Sequence, residues 1–292
     1  MIFEMRDVAC GYEKDSPLAE HVSLMLQSGE ICCILGPNGV GKTTLFRTIL
    51  NLQPPLSGRI LIDGQDISKW APKRRARSIA YVAQAHTPAF PYKVKDIALM
   101  GRLGQVSRFA EPAKKDLEIA EQAMEDMGIR HLRDQLYTDI SGGERQILMI
   151  AKALAQQPEV LILDEPTANL DYGNMARVIA KLRQLAGQGI CVIMTTHLPD
   201  QAFMCNSKTL LMMRNHPVIF GDCAEVITEN NLQKAYHTPV QIIEIIDRNG
   251  EPLRVCRPRF DQMTDREKPA EERNESEEAV LSKNGEEDEQ IV

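Results

Sequence analysis

No apolar run in this chain approaches the roughly 20 residues that a helix needs to cross a bilayer, although 43% of its 292 residues are hydrophobic. The opening stretch, "MIFEMRDVACGYEKD", carries charges where a secretory leader needs an apolar segment. A soluble, intracellular chain is therefore expected. The seven cysteines are odd in number and none are spaced C-x-x-C, so a reducing compartment fits. Cys32, Cys33 and Cys191 sit in apolar, strand-like runs, where a thiol serves as a small hydrophobe. Internal repeats are absent. The basic cluster "KRRAR" (73–77) lacks the interleaved aromatics of an RNA-binding surface. It reads as a solvated helix face, and no nucleic-acid partner is expected.

Charge is also short where the total suggests otherwise. The net charge is −7, but residues 261–292 hold 12 acidic and 4 basic side chains, leaving residues 1–260 near +1. That tail, with "EERNESEEAVLSKNGEEDEQ" at its centre, is almost without apolar residues, the composition of a disordered segment.

What the chain does contain is alternation. "IFEMRDVAC", "HVSLML", "EICCILG", "GRILIDG" and "RSIAYVAQ" read as short strands between turn residues, with a helix from Lys42 to about Asn51. From about residue 87 to 157 the spacing turns helical, in "KVKDIALMGR", "AKKDLEIAEQAMEDMG" and "ERQILMIAKALAQQ", and no strand is evident. Then "EVLILDEP", a helix over about 173–186 and "GICVIMTTH" return to strand–helix–strand order. The reading is a strand-rich α/β body interrupted by a helical lobe.

Within the body, "CCILGPNGVGKTTLF" matches G-x-x-x-x-G-K-[ST] through Gly36, Gly41, Lys42 and Thr43, behind an apolar strand and ahead of an amphipathic helix. Glycines let backbone N–H groups wrap phosphate oxygens without Cβ clashes. Lys42 then reaches the β- and γ-phosphates, and the Thr43 hydroxyl ligates Mg²⁺. "VLILDEP" adds a strand buried on both faces with Asp164 and Glu165 at its C-terminal end, where open α/β sheets bind ligands. Successive strand side chains point in opposite directions, so the two acids need not share a task. Asp164 suits Mg²⁺, directly or through water, and Glu165 is free to act as general base on an attacking water. His197 closes the strand-like "CVIMTTH"; it is either a polar strand terminus or a γ-phosphate contact. Gln84, closing "YVAQ", can ligate Mg²⁺ or hold water, and Tyr12 in "CGYEKD" offers a π-face to an adenine ring.

A second candidate phosphate site lies about a hundred residues on, in "ISGGERQ" (140–146). A helix starting with two glycines presents free N–H groups and a positive dipole end to an anion. Ser141 and Glu144 also fit a capping box, worth about 1 kcal/mol to the helix. Capping does not account for Gly142 and Gly143, which weaken a helix unless close backbone approach requires them.

In order and spacing these pieces resemble the ATP-binding subunit of an ABC transporter over about residues 2–225. The resemblance makes Tyr12 the aromatic loop, "GPNGVGKT" the Walker A segment, Gln84 the Q-loop, "ISGGERQ" the signature, "LILDEP" Walker B, "ANLD" the D-loop and His197 the switch histidine. It implies a P-loop NTPase (RecA-like) α/β core with an N-terminal antiparallel β part and an inserted helical subdomain. ATP would be held by Tyr12, Gly36, Pro37, Asn38, Gly39, Val40, Gly41, Lys42, Thr43 and Thr44, and Mg²⁺ by Thr43, Gln84 and Asp164. Glu165, His197 and Lys42 would be catalytic. Ser141, Gly142, Gly143 and Glu144 would meet the ATP of a second copy packed head to tail, with Asp171 in the D-loop. Ile140 and Glu144 stand where the commonest signature has Leu and Gln, and Asn169 is a D-loop variant.

"FPYKVKDIALMGR" and "TTHLPDQAF" are similar to the importers of chelated iron, haem, cobalamin, or molybdate and tungstate. Those pair two ATPase chains with a multi-span permease and use an external binding protein. The resemblance thus implies a peripheral subunit on the cytoplasmic face of the membrane, meeting its permease through the helical lobe. A soluble ABC ATPase of iron–sulfur cluster assembly is the alternative. The expected organisation is an ATPase domain over 1–226 (helical subdomain about 87–157), a C-terminal α/β extension over 227–260 and the acidic tail over 261–292.

Overall fold

The structure, a computed structural model, describes residues 1–13, 16–83, 91–105, 111–248, 250 and 252–260. Gln84 and the acidic tail lie outside the described residues. The chain forms two compact units, Met1–Ile227 and Thr228–Val292.

The first unit opens with β1 (Ile2–Cys10) and β2 (Ala19–Gln27), which pair antiparallel. β2 alternates buried and exposed residues, as expected of a sheet with one wet face. β3 (Ile31–Leu35) is buried at all five positions and runs into the glycine-rich loop before α1 (Lys42–Ile49). β4 (Ser57–Ile62) and β5 (Gln65–Asp66) complete an antiparallel sheet in the order β2-β1-β4-β5. After α2 (Pro72–Ser78) comes β6 (Ile79–Val82).

Among the described residues three α-helices follow: α3 (Val94–Met100), α4 (Lys114–Asp126) and α5 (Gly142–Leu154). The chain then returns through β7 (Val160–Leu163), α6 (Tyr172–Gly187), β8 (Cys191–Thr196), α7 (Pro199–Cys205), β9 (Lys208–Leu211), β10 (Ile219–Asp222) and α8 (Cys223–Val226). The central sheet has the order β10-β9-β3-β8-β7-β6. β9, β3, β8, β7 and β6 are parallel, and β10 pairs antiparallel with β9. Both faces of the parallel strands are covered, which is why β3, β7 and β8 are almost unbroken apolar runs.

One core joins the two sheets. Phe3, Met5, Val22 and Leu26 of the antiparallel sheet cluster with Leu45, Phe46 and Ile49 of α1 and with Ile34, Ile162 and Ile193 of the parallel sheet. α1 is thereby anchored by its buried face. Cys32, Cys33 and Cys191 are fully buried free thiols, as the small-hydrophobe reading expects. The basic cluster falls on α2, where the Arg74 guanidinium lies 3.9 Å from the Trp70 ring centroid.

The helical lobe is tied together by Arg102, which is 5% exposed. Its guanidinium donates to Asp116 Oδ1 (3.0 Å), to the Ala155 carbonyl at the end of α5 (2.7 Å) and to Gln105 Oε1 (2.8 Å). Gln105 in turn donates to the Gln156 carbonyl at 2.7 Å. The carbonyl left open at the C-cap of α5 and the next one along the chain are satisfied in this way. The second unit holds α9 (Glu229–Tyr236), capped by Thr228 Oγ1, and a hairpin of β11 (Val240–Ile246) and β12 (Pro252–Pro258). Among the described residues no helix is long and apolar enough to cross a membrane.

The lobe's packing is tight at Gly101. A Cβ there would lie 2.0 Å from the Lys152 carbonyl oxygen and 3.0 Å from Ala155 Cβ. Gly101→Ala is expected to destabilise the fold by about 2 kcal/mol through overpacking. For a domain of this size that is a fall in Tm of about 4–8 °C. An unchanged midpoint in a calorimetric scan would contradict the close approach of α3 to α5.

Candidate active site

Because β3, β8, β7 and β6 are parallel neighbours, their C-terminal ends open on one edge of the sheet, and the candidate residues gather there. The loop after β3 begins at Gly36, whose φ of 151° and would-be Cβ, 2.5 Å from the Met212 carbonyl oxygen, leave no room for a side chain. Gly41 caps α1 in a left-handed conformation. Lys42, only 6% exposed, curls back over the loop, donating from Nζ to the Gly36 carbonyl (2.7 Å) and the Pro37 carbonyl (3.1 Å). Burial pushes its pKa below the usual lysine value, opposed by the negative field of Glu165 and Asp164. Val40 and Thr44 are buried in the loop and the first turn of α1, and the Asn38 carbonyl accepts from Arg214 at 3.1 Å.

Asp164 stands one residue beyond β7, still bonded through its N–H to the Val82 carbonyl at 2.9 Å. Its carboxylate collects three hydroxyl donors: Thr195 on Oδ1 at 2.7 Å, and Thr43 and Tyr81 on Oδ2, each at 3.4 Å. Tyr81's own pKa is pushed up to about 12, mainly by burial and next by the Asp164 charge. Thr43 and Asp164 supply hard oxygens from two adjacent elements. That donor set suits Mg²⁺, which takes one or two protein oxygens and completes its shell with water and phosphate. Among the described residues no cluster of three His, Cys, Asp or Glu forms a cation cage.

Glu165 departs from the expected geometry. Strand alternation was to separate it from Asp164, but β7 ends at Leu163 and Glu165 is left-handed, with φ of 49°. The chain turns at this residue, and the turn separates the two acids. A left-handed conformation costs a non-glycine residue roughly 1–2 kcal/mol. Here the Glu165 N–H is held by Thr195 Oγ1 at 2.8 Å. The turn sets Glu165 Oε1 against His197 Nε2, and His197 Nδ1 lies 3.3 Å from Lys42 Nζ. An ammonium only donates, so Nδ1 accepts, and Nε2 carries the proton given to Glu165. His197 itself lies just past β8, which stops at Thr196. Its loop is fixed by Thr196 Oγ1, which donates to the buried Gln201 Oε1 (2.7 Å) and accepts from Leu198 N–H (3.1 Å); Thr167 donates to the same Gln201 oxygen at 3.0 Å.

Residues 141–144 build a separate cluster on the helical lobe. Ser141 Oγ accepts from Glu144 N–H at 3.3 Å, and Ser141 N–H donates to Glu144 Oε2 at 2.8 Å, the capping box read from the sequence. The Ser141 hydrogen bonds, backbone first, hold the Glu144 carboxyl below the usual range. Asp171 caps α6, accepting from Asn174 N–H (2.8 Å) and from Asn174 Nδ2 (2.7 Å). That same Asn174 side chain occupies the space a Gly143 Cβ would need, at 2.5 Å, while nothing lies within 4 Å of a Gly142 Cβ. Tyr12 is 68% exposed, its hydroxyl accepting from Arg47 at 3.4 Å. Thr195, Tyr81 and Asn174 were not singled out from the sequence. Two threonines inside a fully buried strand were the available signal for Thr195; the other two carry none.

Comparison with known proteins follows the same lines. The ABC transporter family model matches residues 19–168. An ABC transporter ATP-binding protein of Haemophilus influenzae is 41% identical over 243 residues, covering 83% of this chain and 92% of its own length. The molybdate import ATP-binding protein MolC of the same organism is 34% identical over 78% of this chain and 85% of its own. The ferric enterobactin transport ATP-binding protein FepC of Escherichia coli is 33% identical over 80% and 86%. Among solved structures, an inward-facing ABC transporter of metal-chelate type aligns with a TM-score of 0.79 and 30% identity, over 90% of this chain and 99% of that one.

The two signature glycines are expected to respond oppositely to alanine. Gly142→Ala fills open space and should stabilise by up to about 1 kcal/mol. Gly143→Ala should destabilise by about 1 kcal/mol, because its methyl drives the Asn174 amide off Asp171. Adding Asn174→Ala should recover most of that loss, a non-additivity read from urea denaturation of the single and double variants. Equal effects at the two glycines would contradict the packing described.

Proposed function

The chain belongs to the ABC transporter family and is an ABC-type ATPase; on that premise we propose that it powers an importer for a metal chelate or related cargo. Siderophore-bound iron, haem, cobalamin and molybdate or tungstate are the candidates. The observation that carries the catalytic reading is the string Lys42–His197–Glu165 beside the Asp164–Thr43 pair on one sheet edge. The cargo reading draws on relatives named for molybdate, hemin and ferric enterobactin import. The same names favour import over the iron–sulfur assembly alternative.

In this reading the loop amides and Lys42 hold the phosphates of ATP, and Tyr12 stacks on the adenine. Thr43 and Asp164, with Gln84, hold Mg²⁺, which neutralises charge on the phosphates when bound. Glu165 accepts the proton of the attacking water. His197 steadies the γ-phosphate with Lys42, and its Nε2–H bond holds Glu165 at the reacting end of the site. Nearly all of the catalytic demand is positioning and charge, as phosphoryl transfer requires.

The second phosphate site serves the ATP of another copy. Residues 141–143 present the N-terminus of α5, and the open space at Gly142 leaves that end accessible. Two ATPs sandwiched between head-to-tail chains shift the population to the closed dimer, and hydrolysis releases it. The helical lobe receives the permease, an external binding protein delivers cargo to that permease, and the chain works at the cytoplasmic face of the membrane. Nucleic acid has no place in this scheme.

Glu165→Gln is expected to keep ATP affinity within a few-fold and to lower turnover by about 100-fold or more. It should accumulate as an ATP-bound dimer by size exclusion with multi-angle scattering. Near-normal turnover would remove Glu165 from the role of base. Recovering the tagged variant from detergent-solubilised membranes with ATP should bring a multi-span membrane protein with it, whose identity narrows the cargo. Recovery with soluble proteins alone would favour cluster assembly.

A further inference from the structure

In β8, where four apolar residues precede two threonines, Thr195 is fully buried. A hydroxyl in such a strand is costly unless both its donor and its acceptor capacity are used. Here both are used on the two acids of the site. Thr195 Oγ1 donates its single proton to Asp164 Oδ1 at 2.7 Å and accepts the Glu165 N–H at 2.8 Å. The arrangement has only one polarity. An N–H can only donate, so the threonine oxygen must accept from Glu165, and its one proton goes to the carboxylate.

The register explains why this strand reads both acids. β8 runs parallel to β7 with Met194 opposite Leu163, so Thr195 is one step beyond the last paired residue, beside Asp164. The bond to Oδ1 leaves Oδ2 turned toward Thr43 and Tyr81. The bond from the Glu165 N–H holds the left-handed turn that directs Glu165 to His197. A single oxygen thus sets the cation-facing carboxylate and the base-bearing turn together.

We propose that Thr195 is a positioning residue for ATP hydrolysis, its hydroxyl orienting the Asp164 carboxylate and the Glu165 turn as one unit. This rests on the reading of Asp164 as a Mg²⁺ partner and Glu165 as the base. The fully buried Thr195 hydroxyl reaches the reaction only through Asp164 and Glu165. Its removal therefore affects turnover and the Mg²⁺ requirement more than nucleotide binding by the loop.

The test compares Thr195→Val, Thr195→Ser and Thr195→Ala in the full chain, measuring kcat, KM for ATP and the Mg²⁺ concentration for half-maximal turnover. Hydrogen-bond partners of metal-holding groups typically change activity or metal affinity by about 10–100-fold, so Thr195→Val should lower kcat by about 10-fold or more. It should also raise the Mg²⁺ requirement, with KM for ATP within about threefold. Thr195→Ser, which keeps the hydroxyl, should stay within about threefold of the parent in kcat. If Thr195→Val does not fold, Ser against Ala isolates the hydroxyl, since both lack the methyl group. Val and Ala variants turning over within about twofold of Ser would overturn the proposal. So would a Ser variant as impaired as they are. Glu165→Gln is assayed in parallel. Its inactivity beside a fully active Thr195→Val sinks this inference alone, whereas full activity of Glu165→Gln sinks the reading of the site on which it stands.

Discussion

The Asp164 carboxylate is the point on which the architecture of the site depends. It is 9% exposed and stands just past β7, taking hydroxyl protons from Thr43 of α1, Tyr81 of β6 and Thr195 of β8. A carboxylate withdrawn from water this far is tolerable only with such donors and a cation nearby, and Lys42 supplies the positive field. Each donor comes from a different element, so satisfying one charge aligns the phosphate loop with the ends of three strands. The apolar core beneath, through Leu45, Phe46 and Ile49 of α1, holds that alignment from the other side.

The two glycine-bearing helix starts in this chain are built on different principles. α1 begins in a glycine loop pressed against the Met212 carbonyl, with its cation folded inward and its apolar face in the central core. α5 begins in a self-contained capping box, and its far end is gripped by Arg102 and Gln105. The first is a finished pocket, and the second is a presented surface. Asn174 ties that surface to Asp171 at the start of α6, so the signature and the D-loop are neighbours within one chain. In the proposed dimer that neighbourhood would bring both segments to the partner's nucleotide together.

Much of this was legible in the residues. The P-loop, the acid pair after "VLIL" and the helical lobe announce themselves through glycine placement, unbroken apolar runs and a change of period. The capping box was readable because both of its bonds are local. What stayed hidden depended on contacts distant in sequence. Glu165 was assigned to strand alternation, yet a left-handed turn separates it from Asp164, and nothing in "DEP" distinguishes the two. Gly143 was read as room for a ligand, but its missing side chain first makes room for Asn174, some thirty residues later in the chain. Tyr81 and Thr195 look like ordinary strand residues until β6 and β8 are placed on either side of β7.

In the proposed cycle each ATP is held by the phosphate loop of one chain and the signature of another. A crystal structure of the Glu165→Gln chain with ATP and Mg²⁺ tests it most directly. The expected result is a two-fold dimer with Ser141 Oγ and the Gly143 N–H of one protomer within hydrogen-bond reach, about 2.7–3.2 Å, of the γ-phosphate bound by Lys42 of the other. A γ-phosphate enclosed by residues of a single chain, with the signature facing solvent, would contradict it.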